Sequence, residues 1–236
     1  MIAVCICTLN NLKLLLRLVP RLLSVEEVDR IIIYDNGSSD DTDKYLRALQ
    51  SFYAQKLLLL GGPWSENLGV TIARNRCLER SMSTYSMILD DDQFLSDHTF
   101  KRYLDALCSY DIVGYIPGMI NSAGAVVVNT GDQFNHVGEG GLCMKTSLWK
   151  ALNYFDEAFS PAYFEGPDIQ LRAIMRGKRI ACIRNAGIVH YESVTLKRQD
   201  TGFNRSDVGS RNLQIILGRV RSGYYESACA YRGEYF

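Results

Sequence analysis

Residues Ile2–Cys7 form an unbroken apolar run that stops at Thr8-Leu9-Asn10-Asn11. Leu12–Leu23 then carries leucines at helical spacing with Arg17 and Arg21 between them, so strand, loop and helix are expected in that order. The pattern repeats: Ile31–Tyr34 reads as a buried strand, Asp35–Ser39 as a turn, Asp41–Phe52 as a helix and Lys56–Leu60 as a third strand. Leu68, Ile72, Ala73, Leu78 and Met82 recur at helical spacing, which starts a helix between Leu68 and Ile72. A fourth strand, Tyr85–Leu89, runs directly into Asp90-Asp91-Asp92. Strands separated by helices of this length predict an α/β fold with a parallel, doubly wound sheet, whose ligands gather at the C-terminal ends of the strands. Asp35 and the aspartate triplet both lie at such ends.

Beyond the triplet the alternation loosens. Helices are expected at 97–108, 147–152 and 169–176, and strands at 112–116, 125–129, 142–144, 180–183 and 187–190, with a Gly138-Glu139-Gly140-Gly141 turn between. No linker-like stretch and no internal repeat divides the chain. The expected organisation is one continuous domain over residues 1–190, with halves at 1–92 and 93–190, and a C-terminal extension at 191–236 containing a helix near 212–220.

Composition narrows the function classes. At 236 residues, 47% hydrophobic and 22% charged, the chain is of ordinary globular type. Basic and acidic residues number 26 each, so there is no overall positive field and no nucleic-acid partner is expected. The seven cysteines are scattered, mostly within apolar runs, and read as reduced, packed thiols of a cytoplasmic protein. Cys5 and Cys7 fall on one face of a strand with no second Cys or His pair at zinc spacing. The apolar start has no basic flank and no stretch reaches the roughly 20 apolar residues of a membrane span, so neither a leader nor a span is expected. Peripheral contact with a membrane surface and self-association are both compatible with this composition.

Three adjacent carboxylates at the end of a buried strand repel and raise one another's pKa, an arrangement that a cation relieves. Hard oxygen ligands suit Mn²⁺ or Mg²⁺, which also clamp diphosphates; the alternative is a turn capped by Asp91 or Asp92.

The order of motifs then resembles a family 2 glycosyltransferase of the GT-A fold. Ile2–Asn10 is similar to that family's first strand and Thr-Tyr-Asn turn, and the run from Ile31 through Asp35-Asn36-Gly37-Ser38-Ser39-Asp40-Asp41-Thr42 resembles its "V-V-D-N-G-S-x-D-x-T" segment. The run Asn67-Leu68-Gly69 to Ala73-Arg74-Asn75 resembles "N-x-G-x-x-x-A-R-N", and Asp90-Asp91-Asp92 falls at the place of the D-x-D motif. Gly140–Lys145 resembles the Gly-rich strand, Phe155-Asp156-Glu157 is similar to "G-F-D-E", and Glu165–Arg172 resembles "E-D-x-D-L-x-x-R". About 190 of the 236 residues are covered in the right order.

The resemblance implies a Rossmann-like nucleotide-binding half, with a mostly parallel central sheet continuous with an acceptor-binding half. It implies a nucleotide-diphospho-sugar donor, UDP- or GDP-linked, and an acceptor hydroxyl of unspecified origin. Thr8, Leu9, Asn10, Asp35, Asn67, Arg74, Asp90 and Asp91 would then serve the nucleotide-sugar, and Asp92 and His190 the metal, Mn²⁺ or Mg²⁺. Asp91 would be the spacer of the D-x-D motif. For Asp35 an Asx-turn is the bland reading, and for Arg74 a solvated helix position. The chain departs from the pattern at Gly166, where the family most often has its catalytic carboxylate. Glu165 and then Asp168 are the replacements expected, although Asp168 also suits a helix start and a pairing with Arg172.

Two alternatives are carried. A sugar-1-phosphate nucleotidyltransferase would need a Gly-rich phosphate loop after the first strand, and Thr8–Leu12 holds no glycine. A non-catalytic nucleotide-sugar-binding protein would bind donor without turnover. The zero net charge also conceals segregation: acids without basic partners crowd residues 35–43 and 90–97, whereas Lys and Arg outnumber acids from residue 197 onward. A basic, aromatic tail serving as a lid over a diphosphate, or as an oligomer contact, is the corresponding expectation.

Overall fold

The computed structural model describes residues 1–63, 65–115, 118–120, 126–128, 137–184, 186–191, 202–225 and 234–235. Its first half is β1 (Ile2–Thr8), α1 (Leu12–Leu23), β2 (Val28–Asp35), α2 (Thr42–Phe52), β3 (Leu57–Gly61), α3 (Gly69–Glu79) and β4 (Tyr85–Asp90). Then come β5 (Gln93–Leu95), α4 (Thr99–Leu107), β6 (Ile112–Tyr115), β7 (Gly118–Ile120), β8 (Val126–Val128) and β9 (Cys143–Lys145). The chain ends with α5 (Thr146–Ala151), a 3₁₀ turn (Glu157–Phe159), α6 (Glu165–Ile174), β10 (Ile180–Ile183), β11 (Ile188–His190), α7 (Arg205–Arg221) and β12 (Glu234–Tyr235).

Eight of the described strands form one sheet in the order β12-β10-β6-β9-β4-β1-β2-β3. Every neighbouring pair is parallel except those of β9, which runs antiparallel between β4 and β6. That strand joins the two halves into one sheet, as expected of a fold without a linker. The unbroken apolar runs follow from burial on both faces. Val4, Ile6, Ile31, Ile33, Met87 and Leu89 point to a core shared with α1, α2 and α4. Ala3, Cys5, Ile32 and Ile88 point to the other, shared with α3, α5 and α6. Each fully buried Ile or Leu contributes roughly 1.5–3 kcal/mol, so the sheet centre is the most strongly held part of the molecule.

A second sheet, β5-β11-β7-β8, stands apart from the first. In it β11 runs antiparallel to β5 with His190 opposite Gln93, which carries the late histidine back to the end of the aspartate triplet. One expectation is corrected. The helix expected at 169–176 begins earlier, at Glu165, after Tyr163 and Phe164 in left-handed conformation (φ 75° and 71°). In the described part of the C-terminal extension, Ile216 of α7 and Tyr225 pack with Phe159 and Leu171 in a third apolar cluster. His136, Tyr231, Phe236, Cys229 and the basic residues Lys197, Arg198 and Arg232 lie outside the described residues. Cys108 is exposed, whereas Cys5, Cys77, Cys143 and Cys182 are packed in the interior as expected. No helix among the described residues is long and apolar enough to cross a membrane.

Candidate active site

The C-terminal ends of β1 and β4 and the N-terminal ends of α3 and α6 enclose a cleft of about 260 Å³. Thr8, Leu9, Asn67, Arg74, Asp90, Asp91, Asp92, Glu165 and His190 all line it, so nine of the residues singled out in the sequence meet in one place. Asn10, Asp35 and Asp168 are not among its lining residues.

The triplet splits by alternation. Asp91 turns toward β1, where its Oδ2 accepts hydrogen bonds from Thr8 Oγ1 (2.6 Å) and Asn11 Nδ2 (2.8 Å). Burial, and then the neighbouring charge of Asp92, push its pKa up to about 7. It is therefore a bound element of the loop rather than an idle spacer. Asp90 and Asp92 face His190, whose Nε2 lies 2.8 Å from Asp92 Oδ1 and 3.7 Å from Asp90 Oδ2. One ligand atom from each of the three lies within 4.8 Å of the others. Burial alone would lower the His190 pKa, but the hydrogen bond to Asp92 and the charges of both aspartates raise it.

This donor set fits a hard divalent cation: two carboxylates and one imidazole, with room left in an octahedral shell for phosphate oxygens and water. The surroundings are shaped for it. Gly140 leaves open a space where a Cβ would strike the Asp90 carboxylate and come within 2.6 Å of Gln93 Nε2. Gln93, fully buried, receives the Asp90 N–H on its Oε1 (2.9 Å) and donates from Nε2 to Tyr115 Oη and to Gly140 O. It ties the D-x-D turn to the Gly-rich turn, a role carried by a long-range pairing and not by any local signal.

Arg74 is buried on α3 among three carboxylates. Its Nη2 donates to Asp90 Oδ1 (2.6 Å) and its Nη1 to Glu165 Oε1 (3.1 Å), with Glu139 Oε2 at 3.5 Å. Its charge is thus already committed, so it orients acids at the cleft wall and is no solvated helix residue. Glu165 is 1% exposed, and its Oε2 has no partner among the described residues. Burial, reinforced by Glu139 and opposed by Arg74, pushes its pKa up to about 8. Glu139, which no sequence signal singled out, is a lining residue with its side chain 26% exposed.

Around the nucleotide-side loops, Asn10 acts as a clip. Its Oδ1 accepts from the Ser39 N–H (2.6 Å) and its own N–H donates to Ser38 Oγ (2.8 Å), binding the β1–α1 loop to the loop after β2. Asp35 is fully buried beneath them, with Oδ1 accepting from the Ser38 N–H (2.9 Å) and Oδ2 without a partner among the described residues. The Asx-turn is therefore real. Asn67 Oδ1 accepts from the Gly69 N–H (2.9 Å) at the start of α3.

Asp168 is set aside as a catalytic base. It is fully buried outside the cleft, with Arg172 Nε on Oδ2 (2.7 Å) and Arg219 Nη1 (2.6 Å) and Tyr225 Oη on Oδ1. Both oxygens are engaged, Oδ2 by Arg172 of its own helix α6 and Oδ1 by Arg219 of α7 and by Tyr225, so the first-turn position and the Arg172 pairing read from the sequence are present.

With the geometry in place, likeness to known proteins decides the family. The profile described as Glycosyl transferase family 2 matches residues 3–164, more than half of the chain. The chain belongs to glycosyl transferase family 2. It is a glycosyltransferase. No curated protein matched. Among solved structures, S. aureus TarS (residues 1–349) superposes with a TM-score of 0.64 at 14% identity, covering 94% of this chain and 74% of TarS 1–349. The mannosyltransferase PcManGT from Pyrobaculum calidifontis, solved with GDP-Man and Mn²⁺, superposes with a TM-score of 0.65 at 15% identity, covering 84% of this chain and 58% of that one. A TarS 1–349 complex with UDP-GlcNAc gives a TM-score of 0.55 at 19% identity, covering 74% of this chain and 53% of that one. These likenesses establish the GT-A fold, and the matched region spans about half to three quarters of those chains.

Proposed function

We propose that this glycosyltransferase moves a sugar from a nucleoside-diphosphate-sugar to an acceptor hydroxyl, with Mn²⁺ or Mg²⁺ held by Asp90, Asp92 and His190 and with inversion at the anomeric carbon. The observation that carries the reading is the convergence of those three side chains at one wall of the cleft. There the acidic side chains of Asp90, Asp91, Asp92, Glu139 and Glu165 line the cleft around the guanidinium of Arg74. PcManGT, with GDP-Man and Mn²⁺, and TarS, with UDP-GlcNAc, support the donor class. The bound ion would supply charge neutralisation for the departing nucleoside diphosphate.

The other roles fall to the chain itself. Thr8, Leu9 and Asn67 wall the nucleotide end, and Asn10 holds their loop in place. Asp35 accepts from a base N–H or ribose hydroxyl through Oδ2, which has no partner among the described residues. Arg74 holds Asp90 and Glu165 in position. Inversion follows from a single displacement, in which the acceptor oxygen attacks the anomeric carbon as a carboxylate takes its proton.

A thermal-shift screen of UDP, GDP and their sugars with and without Mn²⁺ tests the reading, since a ligand that binds the folded state raises apparent stability. UDP or GDP is expected to raise the melting temperature only with the metal, and Asp92→Ala to abolish both the shift and donor turnover. Stabilisation without any nucleoside diphosphate release would instead identify a donor-binding protein without catalysis. Absence of both would remove the reading.

A further inference from the structure

We propose that Glu139 is the carboxylate that takes the proton of the acceptor hydroxyl, reaching across the cleft into the space that a side chain at position 166 would fill. The proposal rests on the glycosyltransfer reading above. A Cβ built on Gly166 would collide with Glu139 Cγ and lie 2.6 Å from both its Cδ and its Oε1. The acid is held there by the Gly166 N–H, which donates to Oε1 (3.2 Å) at the first turn of α6, with Arg74 Nη1 at 3.5 Å from Oε2. Position 166 is the one at which the family pattern failed, and the volume freed by its glycine is occupied by a carboxylate from the Gly138–Gly141 turn.

Position separates Glu139 from its neighbours, and exposure separates it from Glu165, Asp91 and Asp92. The cleft and an open groove beside it share two lining residues, Glu139 and Tyr163. The groove continues along Pro167 of α6 and Arg205, Ser206 and Gly209 of α7. A hydroxyl-bearing acceptor entering by the groove therefore meets Glu139 at the border of the donor cleft. Glu165 is enclosed, at 1% exposed with one oxygen on Arg74; Asp91 is bound to Thr8 and Asn11; Asp90 and Asp92 face His190. Among the described residues, Glu139 is the carboxylate that borders both the cleft and the open groove, which gives its proton a route to solvent.

In the step proposed, a lone pair of the acceptor oxygen forms the new bond to the anomeric carbon as the bond from that carbon to the diphosphate oxygen breaks. The bonding pair leaves with the nucleoside diphosphate. The hydroxyl proton passes to a Glu139 oxygen and from there to water.

The full-length chain with Mn²⁺ and either UDP-GlcNAc or GDP-mannose, water serving as acceptor, provides the assay through nucleoside diphosphate release. Glu139→Gln is expected to lower kcat by about 10²- to 10⁴-fold, the usual share of a general base, with donor KM, UDP or GDP affinity and melting temperature retained. Glu139→Ala should be equally slow, and adding Gly166→Asp to it should recover at least about ten-fold in kcat, because the vacated space accepts the new carboxylate. Full turnover by Glu139→Gln overturns this proposal alone. So does a joint loss of donor binding and stability in that variant with no recovery in the double variant, which would mark Glu139 as only a cap on α6. A wild-type chain that releases no nucleoside diphosphate overturns the glycosyltransfer reading first, and this proposal with it.

Discussion

At the scale of single residues, Glu165 shows how the same side chain reads differently in the chain and in the fold. Its position after Phe164, one residue from Gly166, made it the expected base. Burial, with Glu139 adding to the rise and Arg74 opposing it, pushes the pKa of its fully buried carboxyl up to about 8. The consequence for stability has a definite sign. In the unfolded chain a glutamate ionises near pH 4.3, whereas in the fold it stays protonated up to about 8. Its contribution is therefore fully present below the unfolded value and is lost as pH rises through the folded one. Glu165→Gln should match the wild type in melting temperature near pH 4 and exceed it by a few degrees near pH 8. A difference that does not grow with pH would exclude this ionisation as its source. The D-x-D aspartates were legible because their signal is local: strand, then turn, then acids. Glu139 and Gln93 were not, since each acts on a residue remote in sequence, Gly166 for one and Gly140 for the other.

At the scale of elements, α7 is the support of the cleft's far wall. Tyr163 lines the cleft in a left-handed conformation that costs a bulky residue energy, and it is sustained by what surrounds it. Asn212 of α7, fully buried, donates from its single Nδ2 to Phe159 O (2.6 Å), Ala162 O (2.8 Å) and Tyr163 O (3.0 Å). Arg205 Nε adds a bond to Tyr163 Oη (2.8 Å). Asn212→Ala leaves buried carbonyls unpaired and is expected to cost about 2–3 kcal/mol in denaturant unfolding, with a weaker donor KM because the Ala162–Tyr163 wall loosens. An unchanged midpoint would show that the wall stands without α7. The helix itself was foreseen near 212–220, but not its length or the face it uses. Its apolar residues are few, and its docking relies on polar side chains whose partners lie some fifty positions away.

At the scale of the whole molecule, the basic C-terminal segment was expected as a lid or an oligomer contact; in its described part Phe203 lines the cleft, and α7 and Tyr225 cover buried groups of the domain. Arg219 pairs with Asp156 and Asp168, and Tyr225 closes over Asp168, so α7 neutralises a carboxylate that has no access to water. A chain ending at residue 204 would leave Asp168 with Arg172 alone and uncover Phe159 and Leu171. Removing one partner of a buried charge pair costs about 3–5 kcal/mol. For a domain of this size that lowers the melting temperature by about 10 °C, with reduced yield of folded protein. Undiminished stability would show that the domain folds without this segment.

The sequence by itself determined the α/β layering, the succession of strands and helices in the first half and the acidic turn at the end of β4. Those depend on hydrophobic periodicity and on neighbours a few residues apart, and periodicity survives in one dimension. Tertiary structure alone decided which acids share the cleft, that Arg74 is already neutralised, that Asp168 belongs to the docking of α7, and that Glu139 fills the space beside Gly166. Those outcomes depend on burial and on distances between remote segments, which fix both where a carboxylate points and whether water can reach it.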